Sequence, residues 1–125
     1  MPGPVNSAKK MEKKYHSISE CPITATIDVI GGKWKPILIW VLLEKPYRFG
    51  ELHKMIPAIA LKVLSRQLKE LEEDGIVKRQ VFAEVPPRVE YSLTPKGRSL
   101  SDVMLLLSDW SKEHILAPAG ITPSR

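Results

Sequence analysis

The chain has 125 residues, with 19 Lys plus Arg against 14 Asp plus Glu, a formal charge of +5 and 43% hydrophobic residues. That is room for one compact domain of ordinary composition and not for two, with a charge excess that suits an anionic partner. A single cysteine, Cys21, excludes an internal disulfide framework and makes a reducing, cytoplasmic interior the expected location.

Residues 1–14 begin with proline, glycine and small polar residues, continue into lysines, and are expected to be a flexible basic arm. Ile23 to Ile30 reads as a short helix closed by Gly31-Gly32, which a helix interior disfavours. The next segment, KWKPILIWVLLEKP, opens with Pro36 in its first turn and is apolar nearly all round, so it belongs at the centre of the fold. Its apolar run, Ile37 to Leu43, is far shorter than the roughly 20 residues that cross a bilayer, so no membrane partner is expected. RFGELHKMI is a short amphipathic helix with Phe49, Leu52 and Ile56 inward, stopped by Pro57.

A further helix starts a few residues later and runs to Gly75, with Leu61, Leu64, Leu68 and Leu71 along one edge. After it the period changes. IVKRQVFAE and RVEYSLT are rich in β-branched and aromatic residues, and Val85-Pro86-Pro87 between them predicts a hairpin loop. From Pro95 the helical period returns through Leu116, and residues 117–125 are expected to be a loose tail. Two helices joined by a short turn and followed by a hairpin predict a winged helix-turn-helix. The class is mainly α with a small β-hairpin, a single domain over 15–116.

At about 100° per residue, Lys62, Arg66 and Lys69 fall within about 60° of one another, with Ser65 beside them and the leucines opposite. One explanation is a solvated face laced with ion pairs. Arg66–Glu70 and Lys69–Glu73 have the spacing, but each puts the cation before the anion, the weaker order. The acidic cluster also lies at the helix C-terminus, where the macrodipole disfavours it. Entry of the N-terminal half into a DNA major groove accounts for both facts. Arg88, beside the proline-stiffened hairpin tip, suits a minor groove or a phosphate, and Lys33 and Arg48, at helix starts, suit phosphates.

In the last helix Leu100, Val103, Met104, Leu107 and Trp110 form a stripe that Leu105 and Leu106 widen beyond what one core needs. A thicker internal core would use it. The surplus and the late position favour a two-fold interface, with Tyr15 and Ile18 as further contributors.

CPITATIDVIGGKWKPILIWVLL, RFGELHKMIPAI, LSRQLKELEEDGIVKR and EVPPRVEYSLTPKGRSL resemble, in order, the HxlR family of bacterial and archaeal winged helix-turn-helix transcription regulators. The resemblance spans Cys21 to Trp110. It implies a homodimer on double-stranded DNA carrying a pseudo-palindromic operator, with the leucine-edged helix as recognition helix, the hairpin as wing and no cofactor. Where such proteins usually carry Gly-Ile-Ser or Gly-Ile-Thr before that helix, this chain has Ala58-Ile59-Ala60, which removes a capping hydroxyl.

Cys21 precedes Pro22 and so occupies or adjoins a helix N-cap, where free N–H groups favour a thiolate. The other reading is a small buried hydrophobe. Several members of the family that the chain resembles use a cysteine here to sense electrophiles or oxidants, which implies a small electrophile as a possible partner. No catalytic or metal-binding group is expected: His16, His53 and His114 are scattered and there is no phosphate-binding loop. A winged helix used for protein docking or RNA is the alternative to DNA regulation.

Overall fold

The computed structural model describes residues 20–122. The expected arm over 1–14, and Tyr15 and Ile18, lie outside the described residues. Helix α1 spans Pro22–Ile30 and α2 Lys35–Leu42, each with proline in its first turn. Strand β1, Tyr47–Arg48, leads into α3, Phe49–Met55, and a turn carries the chain to α4, Leu61–Glu73. The hairpin is β2, Val77–Phe82, and β3, Arg88–Leu93. A single-turn helix α5, Pro95–Arg98, is capped by the Thr94 hydroxyl, which accepts from the Gly97 N–H at 3.0 Å. Helix α6, Ser101–Ser111, runs on into a wider π-type turn over Lys112–Leu116.

The sheet has three antiparallel strands in the order β1-β3-β2, not the two expected. Tyr47 pairs with Tyr91 and Arg48 with Glu90. A two-residue strand is too short to show alternation, so only its pairing reveals it. The pairing matters because it welds the start of the helix-turn-helix to the wing.

The core is built around α2. Leu38, Ile39 and Leu42 are fully buried against Leu52 of α3, Leu64, Leu68 and Leu71 of α4, and Val77 at the start of β2. Leu61 departs from the expected leucine edge: it is 56% exposed, and Ile59 of the preceding turn is buried in its stead. The first residue of α4 lies beyond the reach of the core, and the chain entering the helix fills the space.

Both ends of α4 explain its orientation. At the C-terminal end, Gly75 adopts φ +74°, the left-handed conformation that glycine takes without a Cβ penalty. The Ile76 N–H then returns to the Leu71 carbonyl at 2.9 Å and the Gly75 N–H to Glu72 at 3.0 Å. Lys96 Nζ adds a bond to the Asp74 carbonyl at 2.8 Å. The N-terminal end has no such closure. Ala60 occupies the N-cap in an extended conformation, with no side-chain acceptor for the first-turn N–H groups. Ala60→Ser is therefore expected to raise stability by about 1 kcal/mol, read as a higher denaturant midpoint at unchanged m-value.

Candidate nucleic-acid interface

Helix α4 buries Leu64, Leu68 and Leu71 and turns Lys62, Ser65, Arg66 and Lys69 outward, all four exposed. Neither the Arg66–Glu70 nor the Lys69–Glu73 spacing forms an ion pair among the described residues. Glu70 instead meets Lys35 Nζ of α2 at 2.8 Å. No ion pair engages Lys62, Arg66 or Lys69 among the described residues. The face is cationic, solvated and available to a polyanion, which a merely stabilising charge pattern would not be.

The Lys35–Glu70 pair escaped sequence reading because Lys35 opens the most apolar helix of the chain. Its side chain is buried, and Glu70 is its ionic partner, so the pair braces α4 against α2. Hydrogen bonding from the Lys35 ammonium, with its charge and that of Arg66, holds the Glu70 carboxyl below its usual value, against a smaller opposing effect of burial. A depressed folded-state pKa contributes stability above the unfolded carboxylate value of about 4.3, lost as pH falls through the folded value. Thermal unfolding of Glu70→Gln from neutral pH down to about pH 3 is expected to show a lower midpoint at neutral pH and a shallower acid decline.

The wing cations are arranged differently from expectation. Arg88 is not a free cation beside the loop tip. It is the first residue of β3, half-buried, with Nε donating to Glu84 at 2.7 Å and a terminal nitrogen to Glu90 at 2.9 Å. Its guanidinium also lies 3.9 Å from the centre of the Phe82 ring. The exposed tip is Val85-Pro86-Pro87. In an antiparallel sheet directly opposed residues share a face. The register Arg48↔Glu90, Gln80↔Glu90, Lys78↔Ser92 and Phe82↔Arg88 therefore puts Arg48, Arg88 and Lys78 on one side of the wing. Lys78 was missed by sequence reading; strand alternation carried the signal, but not which face of the strand looked outward.

Arg48 is the N-cap of α3, its backbone N–H donating to the Glu51 carboxylate at 2.8 Å while its side chain is exposed. Lys33 lies in the turn before α2, exposed, with its ammonium 4.8 Å over the Trp34 ring.

The C-terminal stripe divides. Met104 is buried in the chain's own core, which corrects its expected place at a subunit interface, and Leu100 is half-buried against that core. Val103, Leu106, Leu107 and Trp110 remain exposed, as do Ile23 and Ile27 of α1.

Cys21 is the N-cap of α1, as its position before Pro22 predicts, and is a free thiol only 3% exposed. Hydrogen bonding from the Thr24 backbone N–H, opposed by burial and aided by the Ile23 N–H and the Thr24 side chain, holds its pKa below the ordinary thiol value.

The sequence profile of the HxlR-like helix-turn-helix family matches residues 29–118. The chain belongs to the HxlR-like family. It is a transcriptional regulator of the winged helix-turn-helix type. Its relatives include the HTH-type transcriptional regulator YdeP of Bacillus subtilis strain 168, 48% identical over 94 residues, which are 75% of this chain and 73% of YdeP. Among solved structures, the redox regulator HypR in its oxidised form superposes with a TM-score of 0.72 at 47% identity, covering 75% of this chain and 97% of HypR. The reduced form of the transcriptional regulator YodB of B. subtilis gives 0.69 at 38% identity, over 76% of this chain and 94% of YodB. This HxlR-like chain shares the winged helix-turn-helix fold of these two structures. No helix among its described residues is long and apolar enough to cross a membrane.

Proposed function

We propose that this HxlR-like regulator acts as a homodimer that places α4 of each subunit in successive major grooves of a pseudo-palindromic operator. The observation that carries the reading is the α4 face: Lys62, Ser65, Arg66 and Lys69 are exposed and in no ion pair among the described residues, opposite the buried Leu64, Leu68 and Leu71. Arg66 lies mid-face, where a guanidinium reaches guanine edges, and Lys62 and Lys69 flank it toward the phosphates. Arg48 and Lys78 on the wing face and Lys33 before α2 add phosphate contacts. Arg88 contributes only where a phosphate displaces Glu84 or Glu90. Dimerisation rests on the exposed stripe of Val103, Leu106, Leu107 and Trp110.

Selection of duplexes from a random pool, followed by gel shifts at two salt concentrations, tests this reading. A regulator yields one enriched palindrome and a steep salt slope. A protein-docking or RNA module yields no enrichment and tolerates loss of the α4 cations.

We further propose that Cys21 is a thiol sensor of electrophiles or oxidants. Its N-cap place and lowered pKa support a reactive thiolate, and HypR is a redox regulator while YodB has a quinone-bound form. Burial means that a reagent reaches the sulfur only when the start of α1 opens locally. With one thiol per chain, the chemistry is alkylation, a mixed disulfide with a small thiol, or a bond between subunits. Cys21→Ser is expected to keep operator affinity within about twofold while abolishing release by a quinone or diamide. A serine variant that still responds would remove Cys21 from the mechanism.

A further inference from the structure

Lys35 stands where helix stability would not put it. It is the first residue of α2, at the positive end of that helix's dipole, and it is buried. An apolar residue there would avoid both costs, and buried ion pairs often give way to apolar side chains without loss of stability. What an ion pair supplies and apolar contacts do not is direction. The bond from Lys35 Nζ to Glu70 Oε1, 2.8 Å long, ties one point of α2 to one point of α4.

The surroundings of α4 give that direction a use. At about 100° per residue, the buried Leu64, Leu68 and Leu71 lie within an arc of about 60°. One flank of the helix, with Val63 and Gln67, is half-buried, and Glu70 stands on it about 40° from Arg66. The other flank, with Leu61, Ser65 and Glu72, is exposed, so no packing on that side resists a roll of the helix. The N-terminal turn has no side-chain cap to hold it either. Leucine contacts are non-directional and survive a small rotation. A roll of about 20° carries a side-chain tip, about 5–6 Å from the axis, through about 2 Å, enough to break a hydrogen bond to a base edge.

We propose that Lys35 and Glu70 are positioning residues for sequence reading: their ion pair fixes the rotation of α4 against α2 and so sets where Arg66 meets the bases. The inference rests on the reading of α4 as the DNA-facing helix, and adds to it two residues that act without touching a base. Lys35 acts from the core and Glu70 from the flank, both through Arg66. The leucines decide which side of α4 looks outward, and the ion pair settles the angle that they leave open.

The test is the full chain carrying Lys35→Met/Glu70→Met, which removes the pair, leaves the formal charge at +5 and fills the space with unbranched apolar side chains. Its denaturant midpoint is expected at or above that of the unsubstituted chain. Scrambled duplex binds within about twofold and with the same salt slope, because no phosphate contact has changed. The selected operator binds about tenfold more weakly, but less than about twofold more weakly when Arg66→Ala is already present. Glu70→Gln, measured where it is fully folded, is a second reading. Loss of a carboxylate favours every duplex on charge alone, yet operator affinity is expected to fall while scrambled-duplex affinity rises. Three results would overturn the proposal alone. One is full operator affinity in the folded double variant. Another is equal weakening on operator and scrambled duplex. The third is a tenfold loss that persists beside Arg66→Ala, which would place the effect of the pair on another contact. An Arg66→Ala protein that keeps its full operator preference would instead overturn the α4 reading, and this inference with it.

Discussion

Arg66→Glu is expected to abolish sequence-selective DNA binding while leaving the fold intact. The guanidinium is exposed and in no ion pair among the described residues, so its replacement should change stability by no more than about 0.5 kcal/mol. Its loss from a base edge costs about 1–3 kcal/mol, roughly 5- to 150-fold, and the introduced carboxylate adds repulsion from the phosphates. Lys62→Ala and Lys69→Ala should behave differently. Each weakens specific and nonspecific binding alike and lowers the salt slope by about 1. Measuring operator and scrambled-duplex affinity across a salt series separates the two roles. A folded Arg66→Glu protein that still selects its operator would end the reading of α4 as the DNA-recognition helix.

In the proposed two-fold assembly, Leu106→Asp is expected to leave a monomer and to cut operator affinity by roughly 100-fold or more. Leu106 is 69% exposed and Trp110 57%, an apolar surface that a lone chain leaves in water. In a two-fold interface each residue counts twice. Burial of a leucine contributes about 1.5–3 kcal/mol, so one substitution removes about 3–6 kcal/mol from association before the carboxylate's own desolvation is added. Loss of the second half-site then forfeits a multivalency gain of about 10²–10⁴. Sedimentation shows the change in mass, and a gel shift on operators of one and two half-sites shows its consequence. Met104→Ala should act in the opposite order: buried in the chain's own core, it lowers stability by about 2–5 kcal/mol and affects association only through unfolding.

The contrast between Met104 and Leu106 shows what a helical period can and cannot say. Both are apolar, both lie in α6, and periodicity groups Met104 with Val103, Leu107 and Trp110 because all are hydrophobic. Which arc of the helix meets α2 and the core is decided by the approach of other elements, which no local pattern encodes. The same holds for Arg88. Its place beside a proline-rich tip was legible, but the two carboxylates and the ring that hold it were brought there by strand pairing and the fold of the loop. Leu61 and Ile59 exchanged roles for a similar reason, since a helix end is only as buried as the surface beneath it.

Residue chemistry and spacing alone determined that this chain is mainly helical with a winged hairpin, that its α4 carries cations opposite leucines, that Ala60 removes a capping hydroxyl and that Cys21 stands at or beside the N-cap of α1. These are local properties, set within a few residues by helix and strand periods, proline, glycine and capping. Tertiary structure alone decided that Lys35 claims Glu70, that β1 joins the wing, that Arg88 is held by carboxylates, and that α6 buries Met104 while presenting an outer apolar stripe. Each of these depends on residues distant in sequence meeting in space, where burial and charge pairing are settled by geometry that the linear order does not contain.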